Sequence, residues 1–180
     1  VPSRGLGDVY KRQGEVNSLA RTVLPVEAAR VYRRFLDECP EQISDQVRAR
    51  LKPGLCIAEA QYRSALEIRE TVSSRFVSTS LSDVDVLHTP CVPVATPTIE
   101  SERGADQAQA LQTLDREPRC TRGVNYLGLP AVSVPCGFTN DGLPVAFQLI
   151  GKPFDEAGLL RVADAYQRDT DWHRIAPPYS

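Results

Sequence analysis

Lysine is scarce in this chain: beyond Gln13 only Lys52 and Lys152 occur. A reaction built on a lysine general base would need one of these two, desolvated and held beside a nucleophile so that its pKa falls. Neither setting suits that role. Lys52 flanks Pro53-Gly54 and Lys152 precedes Pro153, both patterns of solvated loops. Histidine is equally scarce, with His88 and His173 alone, which gives a zinc site little support. The five cysteines, Cys39, Cys56, Cys91, Cys120 and Cys136, include no C-x-x-C pair, so a zinc cage is not expected and no cofactor is called for. No apolar run reaches the roughly 18 residues of a membrane span. No apolar signal segment follows the N-terminus. Net charge is −2 with no basic block, which removes the electrostatic footprint of a nucleic-acid binder. A cytoplasmic protein with reduced thiols is the expectation.

What is present is ordinary for a globular protein: 180 residues, 42% hydrophobic and 24% charged, a length suited to one domain. The exception is the first stretch. Ser3–Gln13, SRGLGDVYKRQ, resembles the in-frame translation of a sequencing adapter. Residues 1–13 are therefore expected to be an artefact without structure. Residues 14–180 are expected to be the native segment, continuing a reading frame cut upstream.

Along the native segment, Pro25 at a first-turn position and apolar Val26, Ala29, Phe35 and Leu36 predict a helix over 26–38, ended by Pro40. A polar helix over 41–51 is expected to stop at Pro53-Gly54. The longest helical pattern covers 55–78, with Ala58, Tyr62, Ala65, Leu66, Val72 and Phe76 on one stripe. Asp83–His88 alternates as a strand, and the three prolines of Thr89–Pro97 predict a stiff extended loop. Ser101–Pro118 reads as a polar surface excursion with a helix over 105–114. Thr121–Leu127 is a short helix stopped at Gly128. Two apolar strands, Ala131–Val134 and Val145–Ile150, flank a hairpin signal at Asn140-Asp141-Gly142. Asp155 is the expected cap of a last helix over 156–168, with Phe154 and Leu159 in the positions of a hydrophobic staple. The alternation of helices and largely apolar strands predicts an α/β architecture, a mixed β-sheet flanked by helices. Three strands are too few to close such a sheet, so its edges should be open or paired with a further segment.

The chemical motifs are sparse. Gly151-Lys152 is not a phosphate loop, because position 146 is alanine and Pro153 replaces Ser/Thr. No nucleophile elbow accompanies His88 or His173. Cys136 reads as a small apolar group. Arg69 stands out: it falls on the apolar stripe of the long helix, three residues from Leu66 and from Val72. A guanidinium there must reach a carboxylate, backbone carbonyls or a ligand, or extend its head to water.

Several blocks resemble the amidase signature family. They are AQYRSALEIR at Ala60–Arg69, DVLHTPCVP at Asp85–Pro93 and NYLGLPAVSVP at Asn125–Pro135, followed in order by CGF, GLPV, QLIG, PFDE and LLRVA. The last set is the most specific, holding order and spacing over about 40 residues. The resemblance implies the C-terminal part of that fold. It also implies hydrolysis of a carboxamide through an acyl-enzyme: one serine attacks, a second relays a proton, a lysine is the base, and glycine-loop N–H groups form the oxyanion hole. No such Gly/Ser-rich loop occurs in this chain, so no catalytic residue is assigned here. The resemblance carries over Arg69 as a substrate-binding arginine and Thr89–Pro97 as cleft wall. It implies a small-molecule amide as substrate, and a homodimer or amidotransferase partner subunits as protein partners. The alternative within the family is the glutaminase subunit of a tRNA-dependent amidotransferase. The aspartate such relatives place seven residues before the Asn of N-x-x-G-x-P is Pro118 here. Gly123 and Cys91 also depart from the usual proline and threonine. A third reading is an inactive, non-enzymatic fragment.

Overall fold

The computed structural model describes residues 6–94, 96–97, 99–100 and 117–176. They fall into two compact units, Val1–Phe76 and Val77–Ser180, where length alone suggested one domain. The expected helix over 105–114 lies outside the described residues.

The first unit is helical. α1 runs Leu6–Val31, so the adapter-like stretch is helical from Leu6 rather than without structure. Pro25 does not begin a helix: it sits inside α1. Val16, Ala20, Val23, Val26 and Ala29 recur every three or four residues and are all buried, so one apolar stripe passes through the proline without a change of phase. α2 (Arg33–Glu38) follows after Tyr32, and Pro40–Gln42 forms a 3-10 turn. α3 spans Asp45–Cys56 from the N-cap Ser44, whose hydroxyl accepts from the Val47 N–H at 3.4 Å. Pro53-Gly54 is therefore not the stop; both residues lie in the last turns of α3, and Lys52 is an exposed helical residue rather than a loop residue.

The reason is tertiary. Gly54 is buried where α3 meets α1, and a Cβ there would fall 2.0 Å from the Pro25 carbonyl oxygen. Gly54, which reads as a breaker, is the residue whose missing Cβ lets two helix backbones touch. α4 (Glu59–Ser80) starts after an extended Ile57, with the Gln61 side chain accepting from the Ala58 N–H at 3.3 Å. That contact is half of a capping box and places the start four residues later than the apolar pattern suggested. Tyr62 and Ala65 are its buried residues. The Arg30 guanidinium lies 4.3 Å over the Tyr62 ring and pairs with Glu59, while the Tyr62 hydroxyl donates to Glu27 at 3.3 Å.

The second unit is a three-stranded sheet in the order β1-β3-β2: β1 Val86–Pro90, β2 Ala131–Phe138 and β3 Pro144–Gly151. Among the described residues every pairing is antiparallel, because a hairpin joins β2 to β3 and β1 adds to the far side of β3. The mixed strand directions expected from alternation do not occur within this set. Pro90 and Pro135 are accommodated because β1 and β2 are edge strands among the described residues. The hairpin is a three-residue loop. The Gly142 N–H bonds to the Thr139 carbonyl at 3.0 Å, the Thr139 N–H to the Leu143 carbonyl at 2.8 Å, and Gly142 alone of the three takes a left-handed φ of 76°. In β2, Cys136 is the extra residue of a bulge between Pro135 and Gly137.

α5 (Arg122–Leu127) ends at Gly128, whose φ of 70° lets its N–H reach the Val124 and Asn125 carbonyls. α6 (Glu156–Arg168) starts under Asp155, whose carboxylate accepts from the Gly158 N–H at 3.1 Å. α6 packs Leu159 and Ala163 onto one sheet face, against Val134 and Leu149. Phe147, Val86, Val132 and Tyr166 border this core. The expected staple fails. Leu159 is buried, but Phe154 has a left-handed φ of 63° and is 94% exposed.

Candidate functional site

The register assigns each side chain of the sheet to a face. Val86, His88, Phe147, Leu149, Val132 and Val134 share the face covered by α6. His88 is exposed and packs against the Phe147 ring, centroids 4.5 Å apart. The opposite face carries Leu87, Thr89, Ala131, Ser133, Ala146, Gln148 and Ile150. Thr89 lies opposite Gln148, and Gln148 opposite Ser133, so a polar row crosses all three strands. Ala131 and Ser133 are exposed, so this face is open at the β2 side.

Gln148 is the centre of that row. It is 3% exposed, a polar side chain in an otherwise apolar strand. Its amide nitrogen donates to the Pro90 carbonyl at 3.3 Å and to the Cys120 carbonyl at 2.9 Å. One side chain thus fixes both the exit of β1 and the turn before α5 to the middle strand, which is how buried amides are normally satisfied. Beside it, Thr89 Oγ1 is buried with no hydrogen-bond partner among the described residues. Burial pushes the Cys120 thiol above its ordinary value; nearby Arg119 opposes that shift and nearby Cys91 adds to it. The 89–97 segment therefore begins at a built polar patch. Reasoning from sequence missed Gln148. The signal was there: a glutamine inside the apolar run Val145–Ile150.

Arg69 lies in α4, partly buried and engaged with other groups, so it is not a loose surface arginine. It belongs to the first unit and the polar row to the second. The first unit also holds an open groove of about 470 Å³ between α1 and α4, lined by Leu19, Thr22, Gln61, Ser64 and Ile68. Lys52 is exposed and Lys152 half-buried beside Gly151. Cys136 is half-buried, its thiol 3.6 Å from the Val145 carbonyl. His173 is exposed in a 3-10 turn. Among the described residues no cluster of three or more His, Cys, Asp or Glu could hold a metal ion, and no helix is long and apolar enough to cross a membrane.

Comparison with known proteins supplies the family. The Amidase family profile matches residues 9–160. Curated relatives include a glutamyl-tRNA(Gln) amidotransferase subunit from Chloroflexus aggregans, 46% identical over 119 residues that make up 66% of this chain and 23% of the relative. The corresponding subunit from Bordetella petrii is 36% identical over 142 residues, 76% of this chain and 27% of the relative. A crystal structure of an amidase superposes with a TM-score of 0.67 at 27% identity, covering 88% of this chain and 36% of that one. The Kluyveromyces lactis allophanate hydrolase gives 0.68 at 27% identity over 84% of this chain and 25% of the hydrolase. A 6-aminohexanoate cyclic dimer hydrolase, at 20% identity and a TM-score of 0.69 over 89% of this chain and 36% of its own, shares the fold. The chain spans about a quarter of the length of the curated relatives it matches. By its matched profile and its relatives, this chain belongs to the amidase signature family.

Proposed function

We propose that this chain is the C-terminal part of a carboxamide hydrolase and supplies the wall of the site rather than the reactive centre. The observation that carries this reading is the profile match over residues 9–160 in a chain whose lysines beyond Gln13 are exposed or loop-bound and which contains no Gly/Ser-rich nucleophile loop. The nucleophilic serine, the relaying serine and the base lysine belong to a preceding segment of the full native protein. In that protein the Thr89–Pro97 segment lines the cleft and Arg69 holds a carboxylate of the substrate. The open polar face, the exposed Phe154 and the two sheet edges left open among the described residues support the reading, since each is a surface that a larger fold would cover.

The test is release of ammonia from a panel of small carboxamides by the full native protein, with and without Arg69→Ala. A charge-assisted contact is worth about 1.5–3 kcal/mol, so the loss in kcat/KM should be about 10- to 150-fold for substrates bearing a carboxylate and small for those without one. An equal loss on both kinds of substrate would remove Arg69 from the pocket. Absence of hydrolysis on every amide would favour the inactive-fragment reading.

A second reading is the glutamine-hydrolysing subunit of an amidotransferase. It is favoured by the curated relatives, which are named as amidotransferase subunits and share 36–46% identity. Pro118 in place of a carboxylate weighs against it, because nothing at that position can pair with the α-amino group of glutamine. Glutamine-specific ammonia release and co-purification of companion subunits would establish it. Indifference to glutamine together with turnover of another amide would exclude it.

A further inference from the structure

We propose that Cys91 and Cys120 are a thiol-redox modification site: a reversible disulfide between them ties the exit of β1 to the turn preceding α5. The two residues are far apart in sequence, yet one nitrogen holds their backbones together. The Gln148 amide donates at once to the carbonyl of Pro90, bonded directly to Cys91, and to the carbonyl of Cys120 itself. Both cysteines are free and half-buried. Cys91 is near enough to Cys120 to add to the rise of its pKa, after the larger effect of burial. The other cysteines are placed differently. Cys39 and Cys56 lie in the first unit, and Cys136 is in the β2 bulge with its sulfur against the Val145 carbonyl.

A disulfide needs Cα atoms about 4.4–6.8 Å apart. Cys91 lies just past the end of β1 and Cys120 in the turn after Arg119, and the Gln148 amide bonds to both segments at once. The oxidant is a low-molecular-weight disulfide such as oxidised glutathione. One cysteine thiolate attacks it, forming a mixed disulfide and releasing one glutathione thiol. The second cysteine then attacks the protein sulfur of that mixed disulfide, releasing the second glutathione. Two thiols become one disulfide, and one oxidised glutathione becomes two reduced ones.

This inference is independent of the amide-hydrolysis reading. The experiment is brief exposure of the full native protein to oxidised glutathione, quenching with N-ethylmaleimide and tryptic mapping. The expected product joins the peptide of residues 76–103 to Cys120-Thr121-Arg122, has lost two hydrogens, and is abolished by dithiothreitol. Cys91→Ser and Cys120→Ser should each abolish it without redirecting linkage to Cys136. The map of the unsubstituted protein decides the matter even where a variant does not fold. Stable glutathione adducts on both cysteines, no reaction at either, or linkage to any other cysteine would each overturn the proposal.

Discussion

Replacing Gly54 by alanine is the sharpest probe of how the helical unit is built. Intrinsic propensity alone favours the change: alanine in a helix interior is better than glycine by about 0.8–1.0 kcal/mol. The structure reverses the sign. The new Cβ would lie 2.0 Å from the Pro25 carbonyl oxygen, 2.4 Å from its carbon and 2.9 Å from the Val26 nitrogen. All three are backbone atoms of α1, so no rotamer change relieves the clash and the two helices must separate. Overpacking against backbone falls at the upper end of the usual cost of about 1–3 kcal/mol, so the net effect is a loss of about 2 kcal/mol. In a protein of this size each kcal/mol moves the melting temperature by roughly 2–4 °C. Gly14→Ala is the matched control, because Gly14 is likewise helical, in α1, but a Cβ there meets nothing within 4 Å. The expectation is a melting temperature raised by about 2–4 °C for Gly14→Ala and lowered by several degrees for Gly54→Ala, read by circular dichroism or calorimetry. If Gly54→Ala matched the control, the α1–α3 contact described above would be wrong.

Three further outcomes follow from the second unit. Gln148→Leu leaves the Pro90 and Cys120 carbonyls without their shared donor and should cost about 1–3 kcal/mol in urea unfolding, with slower formation of the Cys91–Cys120 link; unchanged stability would show that the amide is not a clamp. Asp155→Ala removes the cap of α6 and should cost about 1 kcal/mol, most of it restored by Asp155→Ser. The fold holds Cys120 in its protonated form, since its folded pKa lies above its unfolded one. Its contribution to stability is therefore complete below the unfolded thiol pKa and is lost as pH rises through the folded value. Alkylation of Cys120 in the native state should accordingly accelerate at higher pH than alkylation of the same residue in urea, and equal pH profiles would contradict the burial.

The parts of the fold readable from sequence are those set by local chemistry. The stop at Gly128, the turn at Asn140-Asp141-Gly142 and the cap at Asp155 each depend on residues a few positions apart, and each occurs where its chemistry places it. The errors lie where a distant partner overrides a local rule. Pro25 and Pro53-Gly54 read as helix boundaries, yet they are interior residues because α1 and α3 meet at Pro25 and Gly54. Phe154 and Leu159 have the spacing of a staple, but the left-handed backbone at Phe154 turns the ring away from α6. The polar row needed the register of β1 on β3, a pairing across about 60 residues that no window of sequence contains. The same pairing brings Pro90 and Cys120 to one amide. Arg69 was legible as a guanidinium on an apolar stripe, and it proves partly buried and engaged in α4.

The most direct measurement of the central claim is ammonia production from carboxamides by two purified proteins in parallel: the full native protein and residues 14–180 alone. The account predicts turnover by the full protein and none by residues 14–180, because the attacking serine and its base are supplied by the preceding segment. Amide hydrolysis by residues 14–180 on their own would contradict it.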